Sequence, residues 1–401
     1  MPTMELFRGN IFRNKKRRYY WDTAAATKLE PVVKKVMSKA AKDFGNPSSL
    51  HREGILAQQN LFEARKIIAR LIAAQPAEII FTSGGTESNN LAILGTARAY
   101  GKTGHLITTM IEHKATLEPF HYLEKEGYQI SYLPVSENGL INPKEVEKNL
   151  KTETFLLSII YANNEIGAIQ PIKEVVKVIR RWRKEQKTEF PYLHIDACQA
   201  PRFLNLNVLQ LGVDLMTVNG SKIFGPKGVG FLYVRRGVEL APIILGGGQE
   251  TGRRSGSYNT PAIVGLAKAL EICELKKEKE ILKLTKIRDY LAKELLKIPE
   301  VKINSSLAGM ERLPNILNFS VEGLEGEQLV LEMDKKGFAI SAGSACSLGV
   351  DADSQVMRAL GYNEERQKGA VRVSLPREAK ISEAQKFIRS LNEIIVKYHR
   401  F

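Results

Sequence analysis

Cysteine is scarce in this chain, which has three among its 401 residues. Cys198, Cys273 and Cys346 are too few and too unevenly spaced for a disulfide framework, and no Cys-X-X-Cys pair indicates zinc. So few cysteines are typical of a protein in a reducing compartment. We therefore expect a cytoplasmic protein without a metal site.

Long apolar runs are also missing. No run approaches the roughly 20 residues that a membrane-spanning helix requires. The basic segment Arg13–Arg18 lacks a following apolar core and a small-residue cleavage site, so it does not have the pattern of a secretory signal. With 43% hydrophobic and 26% charged residues, the chain is predicted to be soluble, globular and without membrane contact.

Acidic residues are outnumbered, 44 against 59 basic ones, which gives a net charge of +15. A basic chain can bind nucleic acid, but no recognised nucleic-acid module accompanies the charge. In the segment Lys276–Lys286, acidic residues are interspersed and apolar positions recur at helical spacing, which is typical of a solvated helix face. Direct nucleic-acid binding is therefore disfavoured, and attraction of an acidic protein partner is favoured over it.

Strand-like and helix-like segments alternate through the first two thirds of the chain. This order predicts an α/β fold with a mostly parallel, seven-stranded sheet covered by helices such as Pro171–Lys184. The predicted strands are Glu78–Phe81, His105–Thr108, Gln129–Leu133, Thr154–Ile160, Tyr192–Asp196, Asp214–Val218 and Gly230–Val234.

The pattern changes near Gly256 to a long predicted helix, Pro261–Ile298, which leads towards a second domain. That domain is predicted to hold strands Leu317–Val321 and Ala370–Leu375, and a terminal helix with Ser382 as its N-cap. We predict three parts: an N-terminal segment 1–27 (a basic tail, then part of the small domain), a large domain 28–272, and a small α+β domain 273–401.

Two residues at predicted strand ends suggest a pyridoxal phosphate (PLP) site. Asp196 closes one strand and could keep the cofactor's pyridine nitrogen protonated, while Lys222, shortly after the next, could hold the aldehyde as a Schiff base. Each residue alone has an ordinary interpretation, a helix cap for the aspartate and a solvated side chain for the lysine. Their combination favours the cofactor site.

A third segment fits a phosphate group. The predicted strand before Thr82 runs through Gly84-Gly85 into a helix, where glycines let the backbone approach an anion and the amides of Gly85 and Thr86 are available to it. A glycine pair before a helix can also serve only for tight packing. Together with Asp196 and Lys222, this segment predicts the phosphate end of the cofactor.

Nine motifs, in order along the chain from about Tyr19 onwards, resemble those of cysteine desulfurases. The resemblance implies a PLP-dependent transferase of fold type I, within the class V aminotransferase-like enzymes. The motifs are Tyr20–Ala26, Phe44–Ser48, Thr82–Ser88, Ile111–Lys114, Asn163–Gly167, His194–Gln199, Gly246–Glu250, Arg254–Gly256 and Ser341–Cys346.

The resemblance implies roles in cofactor binding. Lys222 would form the Schiff base and later take the substrate Cα proton, Asp196 would pair with the ring nitrogen, and Gln199 would contact the phenolic oxygen. His113 would stack on the ring and assist proton transfer. Without the adjoining Glu112 and Lys114, His113 would be interpreted as a satisfied histidine at a strand end.

The resemblance also implies how the substrate is held and how its sulfur is removed. Asn164 would hold both cofactor and substrate, and Arg372 would grip the substrate carboxylate, although a buried arginine could equally form an internal ion pair. Cys346 lies in the small, aperiodic segment Gly343–Gly349, which predicts an exposed loop. It would be the nucleophile that receives sulfur as a persulfide, the alternative being an ordinary loop cysteine.

The chain departs from the family around the lysine. The usual Ser-Gly-His-Lys or Ser-Ala-His-Lys is here Asn219-Gly-Ser-Lys222, so that Asn219 and Ser221 replace two usual phosphate ligands. Both can still donate hydrogen bonds, and phosphate binding should survive. Ser257 stands where a threonine usually reaches the phosphate of the neighbouring subunit, which implies a homodimer with its sites at the interface.

The predicted function is therefore a PLP-dependent cysteine desulfurase that converts L-cysteine to L-alanine. The sulfur would pass from Cys346 to an acceptor protein, either an iron–sulfur scaffold or a tRNA-thiolation carrier. Three alternatives stay open at this point: a selenocysteine lyase, another class V aminotransferase-like enzyme, and a non-enzymatic basic binding protein. The last would not bind PLP.

Overall fold

A computed structural model describes residues 17–101, 103–304, 312–343 and 354–399. Their strands form three sheets. The strands are β1 (Tyr19–Tyr20), β2 (Ile79–Thr82), β3 (His105–Thr109), β4 (Gln129–Leu133), β5 (Thr154–Ile160), β6 (Tyr192–Asp196), β7 (Leu215–Asn219), β8 (Gly230–Val234), β9 (Val301–Ile303), β10 (Ile316–Val321), β11 (Phe338–Ala339), β12 (Ser341–Ala342) and β13 (Ala370–Ser374).

Helices lie between most of these strands. They are α1 (Pro31–Ala40), α2 (Arg52–Leu71), α3 (Gly85–Tyr100), α4 (Lys114–Lys125), α5 (Pro143–Asn149), α6 (Ile172–Gln186), α7 (Val208–Leu211), α8 (Thr260–Leu295), α9 (Gly326–Lys335), α10 (Gln355–Ala359), α11 (Glu364–Lys368) and α12 (Ile381–His399).

The largest sheet has seven strands in the order β2-β8-β7-β6-β5-β3-β4. The strands from β7 to β4 are parallel to their neighbours, whereas β8 pairs antiparallel with both β7 and β2. The predicted α/β fold with a mostly parallel seven-stranded sheet is confirmed, and observed strand limits differ from the predicted ones by at most one residue at either end. This accuracy was possible because most residues of these strands are apolar and buried, as expected of strands that are covered on both faces.

Alternate residues of this sheet enter two separate apolar clusters. On β2, for example, Ile79 and Phe81 belong to one cluster, and Ile80 belongs to the other. Successive side chains of a strand point to opposite faces. Helices therefore cover both faces of the sheet, and polar side chains that follow the strands collect at its edge.

A second body of structure surrounds the four-stranded sheet β12-β13-β10-β9, which is antiparallel throughout. Its apolar cluster also includes Tyr19 and Trp21 from the start of the described chain. Helix α8 connects the two bodies, since Cys273 lies in the core of the large sheet and Leu284 in that of the small one. The predicted domain limits at 27/28 and 272/273 stay a prediction.

One predicted helix boundary is wrong. Ser382 is not the N-cap of the terminal helix, because α12 already begins at Ile381. The side chain of Glu383 instead accepts a hydrogen bond from the backbone N–H of Lys380. That carboxylate thus satisfies the N–H of Lys380, the residue directly before α12.

Candidate active site

A cavity of about 560 Å³ opens where the large sheet meets the second body of structure. It brings together residues that are far apart in the sequence. The predicted site residues that line it are Gly85, Thr86, His113, Asn164, Asp196, Gln199, Asn219, Lys222 and Arg372. Ser221 and Ser257 are outside this lining, and Cys346 lies outside the described residues.

Asp196 is the last residue of β6 and is buried. Its Oδ1 accepts a hydrogen bond of 2.9 Å from the backbone N–H of Cys198, and its Oδ2 accepts one of 2.7 Å from the Nδ2 of Asn89. These donors fix the plane of the carboxylate at the carboxyl end of its strand. The group is therefore oriented before any ligand binds.

Lys222 comes from the neighbouring parallel strand. It ends the short 3₁₀ turn Gly220–Lys222 directly after β7, and its Nζ donates to the backbone carbonyl of Ala25 at 2.6 Å. Gln199 donates from Nε2 to the carbonyl of Ala24 at 2.9 Å. The segment that follows β1 therefore closes one side of the cavity and contacts both predicted cofactor residues.

The amino end of α3 forms the predicted phosphate cradle. Gly84 has φ of +148°, in the region that favours glycine, and the first amides of α3, beginning at Gly85, have no acceptor in a preceding turn. A Cβ on Gly85 would lie 2.8 Å from the Sγ of Cys198 and 3.4 Å from the Nδ2 of Asn219. The space beside this helix end is thus too narrow for a side chain, which suits the close approach of an anion.

Ser221 lies outside the cavity lining and contacts Asn219, which is part of it. The Oδ1 of Asn219 accepts hydrogen bonds of 3.1 Å from both the N–H and the hydroxyl of Ser221. This contact leaves the Nδ2 of Asn219 on the side of Gly85, where it can donate to an anion. The direct cofactor contact predicted for Ser221 stays a prediction, and the structure shows its hydrogen bonds to Asn219.

His113 caps the amino end of α4. Its Nδ1 accepts a hydrogen bond of 3.0 Å from the backbone N–H of Ala115. An acceptor nitrogen carries no proton, so the capping arrangement selects the neutral tautomer with its proton on Nε2. In this tautomer the Nε2–H of His113 can donate a hydrogen bond but cannot accept one.

Arg372, on β13, brings a buried cation from the small sheet to the cavity. Its guanidinium donates to the Oδ1 of Asp22 at 2.8 Å and to the backbone carbonyl of Asn164 at 3.0 Å. The internal ion pair that the sequence left open is therefore present. It also holds the guanidinium at the cavity, where a substrate carboxylate could bind it.

Sequence reasoning did not assign roles to several residues that the fold brings to the cavity. Asn89 and Glu112 are both buried there, and Glu165 beside Asn164 accepts a 2.5 Å hydrogen bond from Ser354. Burial raises the pKa of Glu112 to about 8, and it also raises that of Glu165. Glu112 and Glu165 stand inside motifs, but the motifs do not say which side chains are buried.

Ser257 is exposed and lies away from the cavity of its own chain. Its predicted contact with the phosphate of a neighbouring subunit stays a prediction. The described ranges 17–101, 103–304, 312–343 and 354–399 contain no cluster of side chains that could hold a metal ion. They also contain no helix long and apolar enough to span a membrane.

The residues present fit PLP. A fixed carboxylate and a lysine amine are delivered by adjacent parallel strands, and the narrow amino end of α3 lies beside Asn219 in the same cavity. These are a partner for a pyridinium nitrogen, an amine for an aldehyde and donors for a phosphate. Asp196, Lys222 and the Gly85 cradle would hold the three parts of the cofactor.

Comparison with known proteins gives the same result. Residues 18–387 match the family model of class V aminotransferases. A cysteine desulfurase IscS from Dictyoglomus turgidum is 44% identical over 363 residues, covering 90% of each chain. A cysteine desulfurase from Nostoc sp. is 40% identical and covers 94% of this chain and 92% of that one.

Solved structures agree in fold. A NifS-like protein, 34% identical, superimposes with a TM-score of 0.88 over 95% of this chain and all of the other. SspA in complex with cysteine, also 34% identical, superimposes with a TM-score of 0.75 over 90% and 99% of the two chains. The chain therefore belongs to the class V aminotransferases and, within them, to the PLP-dependent cysteine desulfurases.

Proposed function

We propose that the chain converts L-cysteine to L-alanine with Cys346 as the sulfur-accepting residue, and that it works as a cytoplasmic homodimer. The observation that carries this proposal is the convergence of Asp196, Lys222, the amino end of α3 and Arg372 on one cavity. Four groups from separate parts of the chain match the cofactor and the carboxylate of an amino-acid substrate. None of them alone would define the reaction.

Substrate binding would use charge and shape together. Arg372 would bind the carboxylate of L-cysteine with its guanidinium, whose position is set by Asp22 and the carbonyl of Asn164. The side chain of Asn164 lines the same cavity. The substrate would thus be held with its Cα near Lys222.

Proton transfer would be divided between two residues. PLP, when bound, supplies an electron sink for the carbanion that forms at the substrate Cα. The Nζ of Lys222 would take the Cα proton, and the Nε2–H of His113 would assist this transfer as a hydrogen-bond donor. Asp196, buried and fixed by two donors, would keep the ring nitrogen protonated.

Cys346 would perform the sulfur transfer. Its thiolate would attack the substrate sulfur, so that an S–S bond forms while the C–S bond breaks. The electron pair of the C–S bond would stay with the substrate carbon, which takes up a proton and leaves as alanine. The sulfur would remain on Cys346 as a persulfide.

The persulfide would then pass to an acceptor protein, either an iron–sulfur scaffold or a tRNA-thiolation carrier. As the resemblance implies, a homodimer would place Ser257 of one subunit at the phosphate of the other, and the exposure of Ser257 outside its own cavity is consistent with this. The net charge of +15 would favour an acceptor with an acidic surface.

Alanine release from L-cysteine tests the proposal, with purified PLP-loaded protein and a thiol reductant that discharges the persulfide. Cys346→Ser should abolish alanine formation and leave bound PLP unchanged. Cys273→Ala is the matched control, since Cys273 is buried outside the cavity, and it should retain both. Alanine formation by the Cys346→Ser variant would contradict the role of this cysteine.

A further inference from the structure

Asn89 is a buried polar residue that donates a hydrogen bond to Asp196 in the cavity. It lies on the inner face of α3, with 1% of its surface exposed, and lines the cavity. Its Oδ1 is buried and has no hydrogen-bond partner among the described residues. Leaving such an acceptor unpaired costs about 1–3 kcal/mol. An apolar residue at this position would avoid that cost. We therefore look to the Nδ2 of Asn89 for the reason that an amide is present.

The other end of the amide faces Asp196. The Nδ2 of Asn89 donates to the Oδ2 of Asp196 at 2.7 Å and lies 3.2 Å from the hydroxyl of Thr116. A carboxylate can only accept, so the amide has one possible orientation. Thr116 is fully buried on α4 and holds the nitrogen from a second element. The direction of the donor is therefore fixed by two helices.

The charge of this donor matters as much as its direction. Asp196 receives hydrogen bonds from two neutral groups, the amide of Asn89 and the backbone N–H of Cys198. A lysine or arginine at position 89 would neutralise the carboxylate. A neutral donor orients the carboxylate while leaving its negative charge for a cation in the cavity.

We infer that Asn89 is a positioning residue for Asp196. By orienting that carboxylate, Asn89 sets how firmly Asp196 holds the proton on the cofactor's ring nitrogen. The inference rests on the proposed function, in which Asp196 pairs with that nitrogen. Without the amide, the Asp196 carboxylate is held by the N–H of Cys198 alone and can turn away from the ring nitrogen, so that the proton there is held less firmly. The ring then withdraws fewer electrons from the substrate Cα.

The test compares Asn89→Leu with the parent, using protein loaded with PLP that carries nitrogen-15 in its ring. Nitrogen-15 NMR reports the protonation of the ring nitrogen, and the visible absorbance of bound PLP is titrated with pH. We expect the variant to retain PLP, to show a ring-nitrogen signal moved towards the unprotonated form, and to lose kcat on the order of tenfold.

Asn304→Leu is the matched control. Asn304 is also 1% exposed and also donates from Nδ2 to two oxygens, those of Asn318 and Ser320, but it lies outside the cavity lining. Its loss should lower the free energy of unfolding without moving the ring-nitrogen signal. If Asn89→Leu does not fold, Thr116→Val removes the second contact of the amide and should shift the signal in the same direction by less.

The outcomes separate this inference from the function on which it rests. A ring-nitrogen signal in the Asn89 and Thr116 variants that matches the parent would overturn the positioning role and leave the function intact. A parent whose bound PLP has an unprotonated ring nitrogen would overturn the role of Asp196 and this inference with it. A parent that does not bind PLP would overturn the proposed function itself.

Discussion

At the scale of single residues, the buried carboxyl groups of Asp196 and Glu112 differ in their hydrogen bonds. Asp196 accepts one hydrogen bond through each of its two oxygens. Glu112 accepts bonds of 2.7 Å from Thr109 and from the N–H of Ile160 through one oxygen, while its second oxygen has no partner among the described residues. Burial raises the pKa of Glu112 to about 8, and the charge of Asp196 adds to this. Glu112 is therefore neutral at pH 7, so that it adds no second negative charge beside Asp196.

The raised pKa of Glu112 predicts that the free energy of unfolding depends on pH. In the folded protein Glu112 keeps its proton up to about pH 8, whereas the ordinary pKa of a glutamate, which applies to the unfolded chain, is 4.5. The contribution of Glu112 to stability is therefore complete below pH 4.5 and is lost as pH rises towards 8. Glu112→Gln mimics the protonated form. We expect the free energy of unfolding of the variant to fall less than that of the parent across this range, as measured by denaturant titration. The exposed Glu137→Gln serves as control, and parallel profiles for parent and Glu112→Gln would contradict the assignment.

At the scale of elements, the amino end of α3 depends on the close packing of Gly85 against Cys198. Helices and strands usually tolerate alanine, but a Cβ on Gly85 would lie 2.8 Å from the Sγ of Cys198, closer than such atoms approach. The loop after β6 and the start of α3 therefore fit each other without spare room. The phosphate cradle is a product of two elements rather than of the glycine motif alone.

We expect Gly85→Ala to weaken PLP binding at least about tenfold, because the clash must displace either the helix end or the loop. The double variant with Cys198→Ala should recover most of this loss, since the displaced sulfur is gone. Equilibrium dialysis of PLP against the parent, both single variants and the double variant measures the coupling. Strictly additive effects would show that the contact does not limit the cradle.

At the scale of the whole molecule, a buried ion cluster connects the two bodies of structure. Glu280, in the middle of α8, binds Arg202 of the large sheet's side and Arg377, which follows β13, with Nε–Oε distances of 2.9 and 2.7 Å. The Arg377 guanidinium also donates to Glu30 at 2.9 Å. Because Arg202 follows β6 of the large sheet and Arg377 follows β13 of the small one, the cluster links the two bodies through Glu280.

Glu280→Gln should lower the free energy of unfolding by about 3 kcal/mol, because the buried Arg202 loses its counter-charge and the partly buried Arg377 keeps only Glu30. Glu278→Gln, an exposed change on the same helix, should stay within about 0.5 kcal/mol of the parent. Chemical unfolding monitored by circular dichroism measures both. Equal stabilities of the two variants would mean that the cluster does not join the bodies.

The sequence by itself determined the type of fold and the nature of the chemistry. The strands of the large sheet are readable because most of their residues are apolar and buried, and Asp196, Lys222 and Gly85 lie at or just after the ends of such strands, where ligand sites gather. The sequence also identified Arg372, whose buried cation needed an anionic partner, but it did not name Asp22. That partner lies 350 residues away along the chain.

Only the tertiary structure decided how the side chains are oriented and protonated. That Asn89 donates to Asp196, that His113 caps α4 through Nδ1, that Ser221 contacts Asn219, and that Glu112 is buried are all matters of close approach between separate elements. Periodicity and motif spacing describe single elements, whereas hydrogen-bond direction and desolvation depend on what another element brings within about 3 Å. For this reason the residues of the site could be predicted, while their hydrogen bonds and charge states required the fold.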